Sequence, residues 1–370
     1  MMEHASAVEI LNPPVGISHV TKSIEDLYEP RLHAGSTVYF HPAAQPNSHP
    51  HMGTITTLIL TFALAKKLRE VSEVKPEIHF WGLENAPGDI IEVGGKTYYR
   101  TLSRSQHDGR SKSGFYLESF QDLLSKLAEL SGESFKVTNY RNFQSQKRVR
   151  ELYLKLIAYE TELAPLLCPS ERRFKLRSAC PVCGFAAKLG GEVIRKSCDG
   201  MEISYLNACF EHGSFETTLS PDSTDEFDIN TPARALVREA LYIERAKENG
   251  GHNMMSDGGD WSHYGSINME CLHLLGYNIS DMPMRFFAPV ILDWSGAKLA
   301  KSAQVGSDAY HNLPQHFVNY TKLKSQYGPD VIDFLYEQVS PWLDNPKKIF
   351  RNYSIAYMDK LLEPLKATIA

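Results

Sequence analysis

The stretch Pro46-Asn47-Ser48-His49-Pro50-His51-Met52-Gly53-Thr54 decides how this chain is read. Just upstream, Thr37-Val38-Tyr39-Phe40 is a short β-like run. Just downstream, Ile55, Leu58, Ile59, Phe62 and Ala65 recur at helical spacing. The stretch is therefore a strand-to-helix turn with two histidines and a glycine at the helix start. A helix N-terminus presents unpaired N–H groups and a partial positive charge, which attract phosphate. His49 and His51 can add donors there, and Gly53 has no side chain to block a flat base lying against the backbone. Two histidines before a buried helix are more often structural than functional, so the stretch alone assigns nothing.

A second stretch, Ser295-Gly296-Ala297-Lys298-Leu299-Ala300-Lys301-Ser302, changes that balance. It follows a buried-strand pattern over Arg285-Phe286-Phe287-Ala288-Pro289-Val290-Ile291-Leu292. A loop of small residues with lysines at 298 and 301 can swing two ammonium groups onto a polyphosphate.

The 370 residues can bury a substantial core and form two structural units. With 42% hydrophobic and 22% charged residues the composition is that of a globular protein. A net charge of −5 argues against a broad nucleic-acid-coating surface but not against a local basic patch. The longest apolar run, Leu58 to Ala65, is too short to span a bilayer, so no membrane partner is expected. Met1-Met2-Glu3-His4-Ala5 lacks the basic and apolar regions of a signal peptide. The six cysteines cluster, which points to a metal in a reducing, cytoplasmic compartment rather than to disulfides.

From 37 to about 90 the pattern is β-α-β, with the second strand over Glu77–Leu83. This opens a doubly wound, Rossmann-type parallel sheet, whose ligands sit at the carboxyl ends of the strands. Glu84 and Asp89 follow the second strand and can hold an ammonium group there, or be plain surface carboxylates. No Walker A or Gly-x-Gly-x-x-Gly sequence is present. Residues 90–113 read as a hairpin turning at Gly94-Gly95. Two helices follow, one with Tyr116 to Leu130 stopping near Gly132, the other with Val149, Leu152, Leu156 and Leu163 ending by Pro165. The basic run Arg172 to Arg177 is either a solvated strand or a contact for an RNA backbone.

Cys180-Pro181-Val182-Cys183-Gly184 and Cys209-Phe210-Glu211-His212-Gly213 fit the two knuckles of a zinc ribbon. The alternatives are a lapsed ribbon that keeps the turns without the metal and a redox pair at Cys180 and Cys183, which no thioredoxin-like pattern surrounds. Four such ligands close a tetrahedron around Zn²⁺ and leave no open position, so the metal would be structural. Beyond it, Thr231 is a candidate N-cap with Pro232 in the first helical turn. Gly258-Gly259-Asp260-Trp261 is a glycine turn, able to admit a ribose or an amino-acid backbone, before a helix over His263–Leu275. Two final helices are expected at Asp330–Val339 and Pro346–Leu365. The expected division is 1–113 and 226–310 as the two halves of the Rossmann domain, 114–225 as an insertion with a helical pair and the ribbon, and 311–370 as a helical tail.

His51-Met52-Gly53-Thr54 and Lys298-Leu299-Ala300-Lys301-Ser302 resemble, in order, the two signatures of class I aminoacyl-tRNA synthetases. Among these enzymes the chain is most similar to class I lysyl-tRNA synthetase, over about residues 37 to 360. Pro46 to Thr54 resembles that family's Pro-Ser-Gly-x-x-His-x-Gly-Asn, and Tyr140 to Phe143 with the helix to Leu167 resembles the insertion that leads into its ribbon. Phe227 to Arg234 resembles Trp-Arg-Val-Asp-Trp-x-x-Arg, and Gly258 to Trp261 resembles Gly-Gly-Ser-Tyr. Three departures stand out. The segment after Ser302 is too short for the family's anticodon-binding domain, Asn230 replaces an Asp, and Asp260 and Ser262 replace the Ser and Asp of the glycine motif. The resemblance implies ATP-dependent formation of an aminoacyl-adenylate, with lysine or an analogue as amino acid. It implies His51, Lys298 and Lys301 as catalytic groups and His49, Gly53, Thr54, Gly258, Gly259 and Ser302 around ATP. Glu84 and Asp260 would hold the amino acid, and Mg²⁺ would bridge the phosphates. The acceptor would be a tRNA acceptor arm, or a small molecule or protein joined as an amide or ester. A non-catalytic nucleotide-binding module is the remaining alternative.

Overall fold

Thr37–Phe40 forms a strand (β1), as its sequence predicts, and its parallel neighbours build the sheet that positions everything else. The computed structural model describes residues 23–299 and 313–369, so Lys301 and Ser302 lie outside the described residues. From β1 the chain enters helix α1 (Met52–Ser72) and returns as β2 (Lys75–Gly82), parallel to β1. Ala43–Ala44 pairs with Trp81 and Gly82, prolonging the line of β1. The hairpin β3 (Pro87–Val93) and β4 (Lys96–Thr101) turns at Gly94 and Gly95, whose φ values of 57° and 72° suit glycine.

Helix α2 (Lys112–Ser131) stops at Gly132 in the left-handed region, and β5 (Phe135–Asn139) extends the sheet beside β2. The parallel layer thus continues to Asn139. The boundary expected at 113 falls inside it, because α2 packs on α1 and β5 hydrogen-bonds to β2. The chain then leaves the sheet and re-enters on the other side of β1, as β9 (His252–Gly258) and β10 (Met284–Ala288). The order is β10-β9-β1-β2-β5, all parallel, with the reversal of direction between β9 and β1. That reversal opens a crevice at the carboxyl ends of the strands.

Successive strand residues face opposite sides of the sheet, and the two cores follow from this. Phe80 and Met254 face a core shared with α1, α2 and the C-terminal helices. Trp81 and Met255 face a second core built with α3 (Lys147–Ala158) and α4 (Thr231–Asn249). Between β5 and α4 lies the insertion, including an antiparallel sheet of β6 (Glu192–Lys196), β7 (Ile203–Cys209) and β8 (Gly213–Leu219). Among the described residues, no helix is long and apolar enough to cross a membrane.

Three element boundaries differ from expectation. The helix expected to end by Pro165 is two, Lys147–Ala158 and Glu160–Leu167, with Pro165 inside the second. The proline there removes only one bond, to the first turn of a short helix. The helix cap is Asn230 rather than Thr231, and neither caps through its side chain: Asn230 Oδ1 accepts from Lys175 N at 2.5 Å and Thr231 Oγ1 from Arg234 at 2.6 Å. Finally, Pro346–Leu365 is not one helix. Tyr353–Ser354 pairs in parallel with Ile291–Leu292, which splits it into Pro346–Ile349 and Ile355–Ile369.

Candidate active site and metal centre

A cavity of about 270 Å³ occupies the crevice at the carboxyl ends of β1, β9 and β10. The first turn of α1 forms one wall. His51 is its N-cap, with φ −93° and ψ 167°, and its Nδ1 accepts from Thr54 N at 3.3 Å while Nε2 lies 3.2 Å from Thr54 Oγ1. An accepting Nδ1 leaves the proton on Nε2. Burial, then the neighbouring Lys298, hold the imidazole down to about 4 against the pull of Asp260, so it is neutral at neutral pH. A Cβ on Gly53 would stand 3.0 Å from His51 Cε1 and 3.1 Å from Nδ1. The glycine therefore makes room first for the histidine ring, which folds back over the helix start. His49 also lines the cavity, with Nδ1 3.0 Å from Ser119 Oγ on α2 and its ring edge-on to Tyr116.

The opposite wall comes from β9 and from the loop after β10. Lys298 reaches across the mouth to an ion pair with Asp260. The loop that carries it is shaped by Asp293, whose Oδ1 accepts from Ser295 N at 2.8 Å and Ala297 N at 3.1 Å, with Gly296 at φ 81°. Gly258 faces Asp260 closely: a Cβ there would lie 2.7 Å from Asp260 Oδ1. Gly258, Asp260 and Lys298 line the cavity. Gly259 opens the short helical turn Gly259–Trp261 behind it. His51, Gly258, Asp260 and Lys298, far apart in sequence, thus meet around one space.

Glu84 and Asp89 do not meet them. The Glu84 oxygens accept from Tyr140 N and Arg141 N, both at 2.8 Å, which satisfies the start of the short helix Tyr140–Gln144. Asp89 pairs with Lys112 at 2.7 Å. Neither lines the cavity, and the expected holder of a substrate ammonium among them is corrected accordingly.

The floor of the cavity is made by residues that the sequence reading passed over. Arg234, Arg238 and Glu239 come from α4, Asp257 from β9 and Arg285 from β10. Glu239 and Arg285 form a buried two-pronged ion pair, with N–O distances of 2.5 and 3.2 Å, and Asn268 donates to Glu239 at 2.7 Å. Arg234 is held by Asp228 at 2.7 Å. Burial pushes the Asp257 carboxyl up to about 6 against the pull of Arg238 and Arg285. The readable signal was spacing: Arg234 and Arg238 share a face of α4, and Arg285 sits in a strand buried at every position.

The insertion brings Cys180, Cys183, Cys209 and His212 together, with their ligand atoms all within 4.8 Å of one another. Cys183 Sγ and Cys209 Sγ are 3.4 Å apart, and His212 Nδ1 is 3.5 Å from Cys209 Sγ and 3.7 Å from Cys180 Sγ. Those separations suit the edges of a tetrahedron with metal–ligand bonds of about 2.0–2.3 Å. Gly184 and Gly213, both at φ 76°, close the two knuckles. The Arg100 guanidinium donates to Cys183 O at 2.8 Å and ties this cluster to the β3–β4 hairpin.

By sequence, no family model and no curated protein matches the chain. Solved structures similar to it include a putative arginyl-tRNA synthetase from Campylobacter jejuni, at 10% identity and a TM-score of 0.36, covering 87% of this chain and 68% of that one. Mycobacterium tuberculosis methionyl-tRNA synthetase in complex with methionyl-adenylate is similar at 13% identity and a TM-score of 0.45, covering 86% and 66%. The chain spans about two thirds of the length of these enzymes. At these scores nothing of their function transfers, and the chemistry of the site rests on its own geometry.

Proposed function

We propose that the cavity binds ATP and an amino acid, and that the protein activates the amino acid as its adenylate before passing it to a tRNA, a small molecule or a protein. The carrying observation is the meeting of the α1 N-terminus, the glycine turn at 258 and Lys298 around one crevice at the strand ends. In this reaction an amino-acid carboxylate oxygen bonds to the α-phosphorus. The bond from that phosphorus to the oxygen bridging to the β-phosphate breaks, and pyrophosphate leaves. Negative charge grows on phosphate oxygens, so positioned donors matter more than an acid or base.

The first-turn N–H groups of α1 supply such donors near the α-phosphate, joined by His49 and by the Nε2–H of a neutral His51 once it exchanges Thr54 Oγ1 for a phosphate oxygen. Adenine packs against Thr54 beside Gly53, whose open face the His51 ring fills, and the ribose lies by Gly258, with Gly259 opening the turn behind it. Lys298 exchanges Asp260 for the pyrophosphate, joined by Lys301 and Ser302. Mg²⁺ is held mainly by ATP. The Cys/His cluster takes Zn²⁺ to fix the insertion and does no chemistry. Lysine, which the resemblance implies, is the reference amino acid, although the charges on the cavity floor favour another class.

The test is amino-acid-dependent ATP–pyrophosphate exchange across the standard amino acids, with and without bulk tRNA. Exchange with one amino acid, lost in Lys298→Ala, is the expected result. Tight ATP binding without exchange for any amino acid would instead mark a nucleotide-binding module.

A further inference from the structure

The cavity floor carries a charge that, among the described residues, no hydrogen-bonded carboxylate answers. Arg238 is 9% exposed and lines the cavity, and its Nη1 has no hydrogen-bond partner. Among the described residues no ion pair reaches its guanidinium. A buried cation without a partner costs stability, and such groups persist where a ligand completes them.

Among the described residues, every acidic group near the cavity other than Asp257 is already paired. Glu239 is taken by Arg285 and Asn268, Asp260 by Lys298, and Asp228 by Arg177 and Arg234. His41 is pushed by burial down to about 3, hence neutral, and stacks on Tyr242 at 3.7 Å. The Tyr242 hydroxyl, one helical turn beyond Arg238, is itself without a partner. One carboxyl on the cavity remains uncommitted. Asp257 feels the charges of Arg238 and Arg285 but makes no hydrogen bond with either.

The charges of an amino acid can now be counted against these groups. Its α-carboxylate must face the α1 N-terminus to attack phosphorus. Its α-ammonium needs a carboxylate, and Asp257 is the free one. What is left for the side chain is Arg238. A lysine would bring two ammonium groups to one free carboxylate and would set one of them against the guanidinium.

We propose that the cavity selects an amino acid whose side chain bears a carboxylate, with Arg238 anchoring that carboxylate and Asp257 the α-ammonium. The selectivity rests on the proposed amino-acid activation but is tested apart from it. Calorimetry on the full chain, with and without a non-hydrolysable ATP analogue, would measure binding of aspartate, glutamate, asparagine, glutamine and lysine. One of the two acids should bind at least about tenfold tighter than its amide and than lysine. Arg238→Gln should erase the preference for acid over amide, and Arg238→Lys should keep part of it. Because Arg238→Gln removes an unpartnered buried charge, it should melt no lower than the parent without ligand.

Tighter binding of lysine or of the amides, no binding of either acid, or a preference that survives Arg238→Gln would overturn the proposal. Survival together with a large loss of melting temperature would mark Arg238 as structural. An acid that binds as expected but supports no ATP–pyrophosphate exchange would uphold the selectivity and refute the activation.

Discussion

Replacing Gly53 by alanine should separate stability from chemistry at this site. The new Cβ would lie 3.0 Å from His51 Cε1 and 3.1 Å from Nδ1, so the ring must give by a few tenths of an ångström from its place over the helix start. Alanine adds up to ~1 kcal/mol of helix propensity over glycine, less in a first turn. A ring shift of that size stretches the His51 cap on Thr54 N, already a 3.3 Å bond, at a cost of up to ~1 kcal/mol. These nearly cancel, and the melting temperature should move by no more than a few degrees, about what 1 kcal/mol shifts in a domain of this size. The chemistry has no such compensation. Losing one positioned donor costs ~3 kcal/mol of transition-state stabilisation, on the order of a hundredfold in rate. Thermal unfolding and ATP–pyrophosphate exchange on the same preparation read both quantities. An exchange rate within about threefold of the parent, at unchanged stability, would refute the placement of His51 at the reacting phosphate.

Other outcomes follow from the same geometry. His41 and His51 are held below the ordinary 6.5, at about 3 and about 4, so the unfolded chain takes up their protons first as pH falls. The stability they allow is full above 6.5 and is lost on the way down. Asp257, raised from 3.8 to about 6, opposes this but is one group against two. Melting temperature should therefore fall as pH drops from 6.5 towards 4, and His51→Gln should flatten the slope; a flat parent curve would contradict the burial of both rings. Protonation of Asp257 should also raise the KM for the amino acid as pH falls through about 6, an effect absent in Asp257→Asn. Asp260→Asn frees Lys298 from a pair whose side chains are 28% and 36% exposed. At ~0.5–1 kcal/mol for a partly screened pair, the KM for ATP should fall about two- to fivefold, and an unchanged KM would mean that Lys298 does not exchange Asp260 for phosphate. Atomic absorption should find one zinc per chain, lost in Cys209→Ser along with thermal stability; a metal-free parent that melts the same after chelation would count against the structural zinc.

The parts of the fold that were legible are those fixed by local chemistry. Gly94, Gly95 and Gly132 are free to take left-handed backbone, as they do at φ 57°, 72° and 78°, and so announce a turn and a helix end. The alternation along Glu77–Gly82 and the spacing from Ile55 to Ala65 each point to a buried face. Several residues that line the cavity stood out in the sequence because their types are unusual where they stand, as with His51 before Gly53. What escaped depends on distant partners. Glu84 looks like any post-strand carboxylate until Tyr140 and Arg141 present their N–H groups to it. The α4 stripe of Leu236, Val237, Ala240, Leu241 and Ile243 marks a helix, but nothing in that spacing says that Arg238 and Glu239 between them line a cavity. The C-terminal helix breaks because Tyr353 and Ser354 find a strand partner in Ile291 and Leu292, a pairing no local pattern encodes.

The most direct test follows the phosphorus. The full chain is incubated with Mg²⁺, the preferred amino acid and ATP labelled at its α-phosphate, and the products are separated without any acceptor. The account requires label in an aminoacyl-adenylate, and in AMP after its hydrolysis, with an equal amount of pyrophosphate and strict dependence on the amino acid. Label recovered only as ADP, or as unchanged ATP beside a demonstrably bound nucleotide, would contradict it.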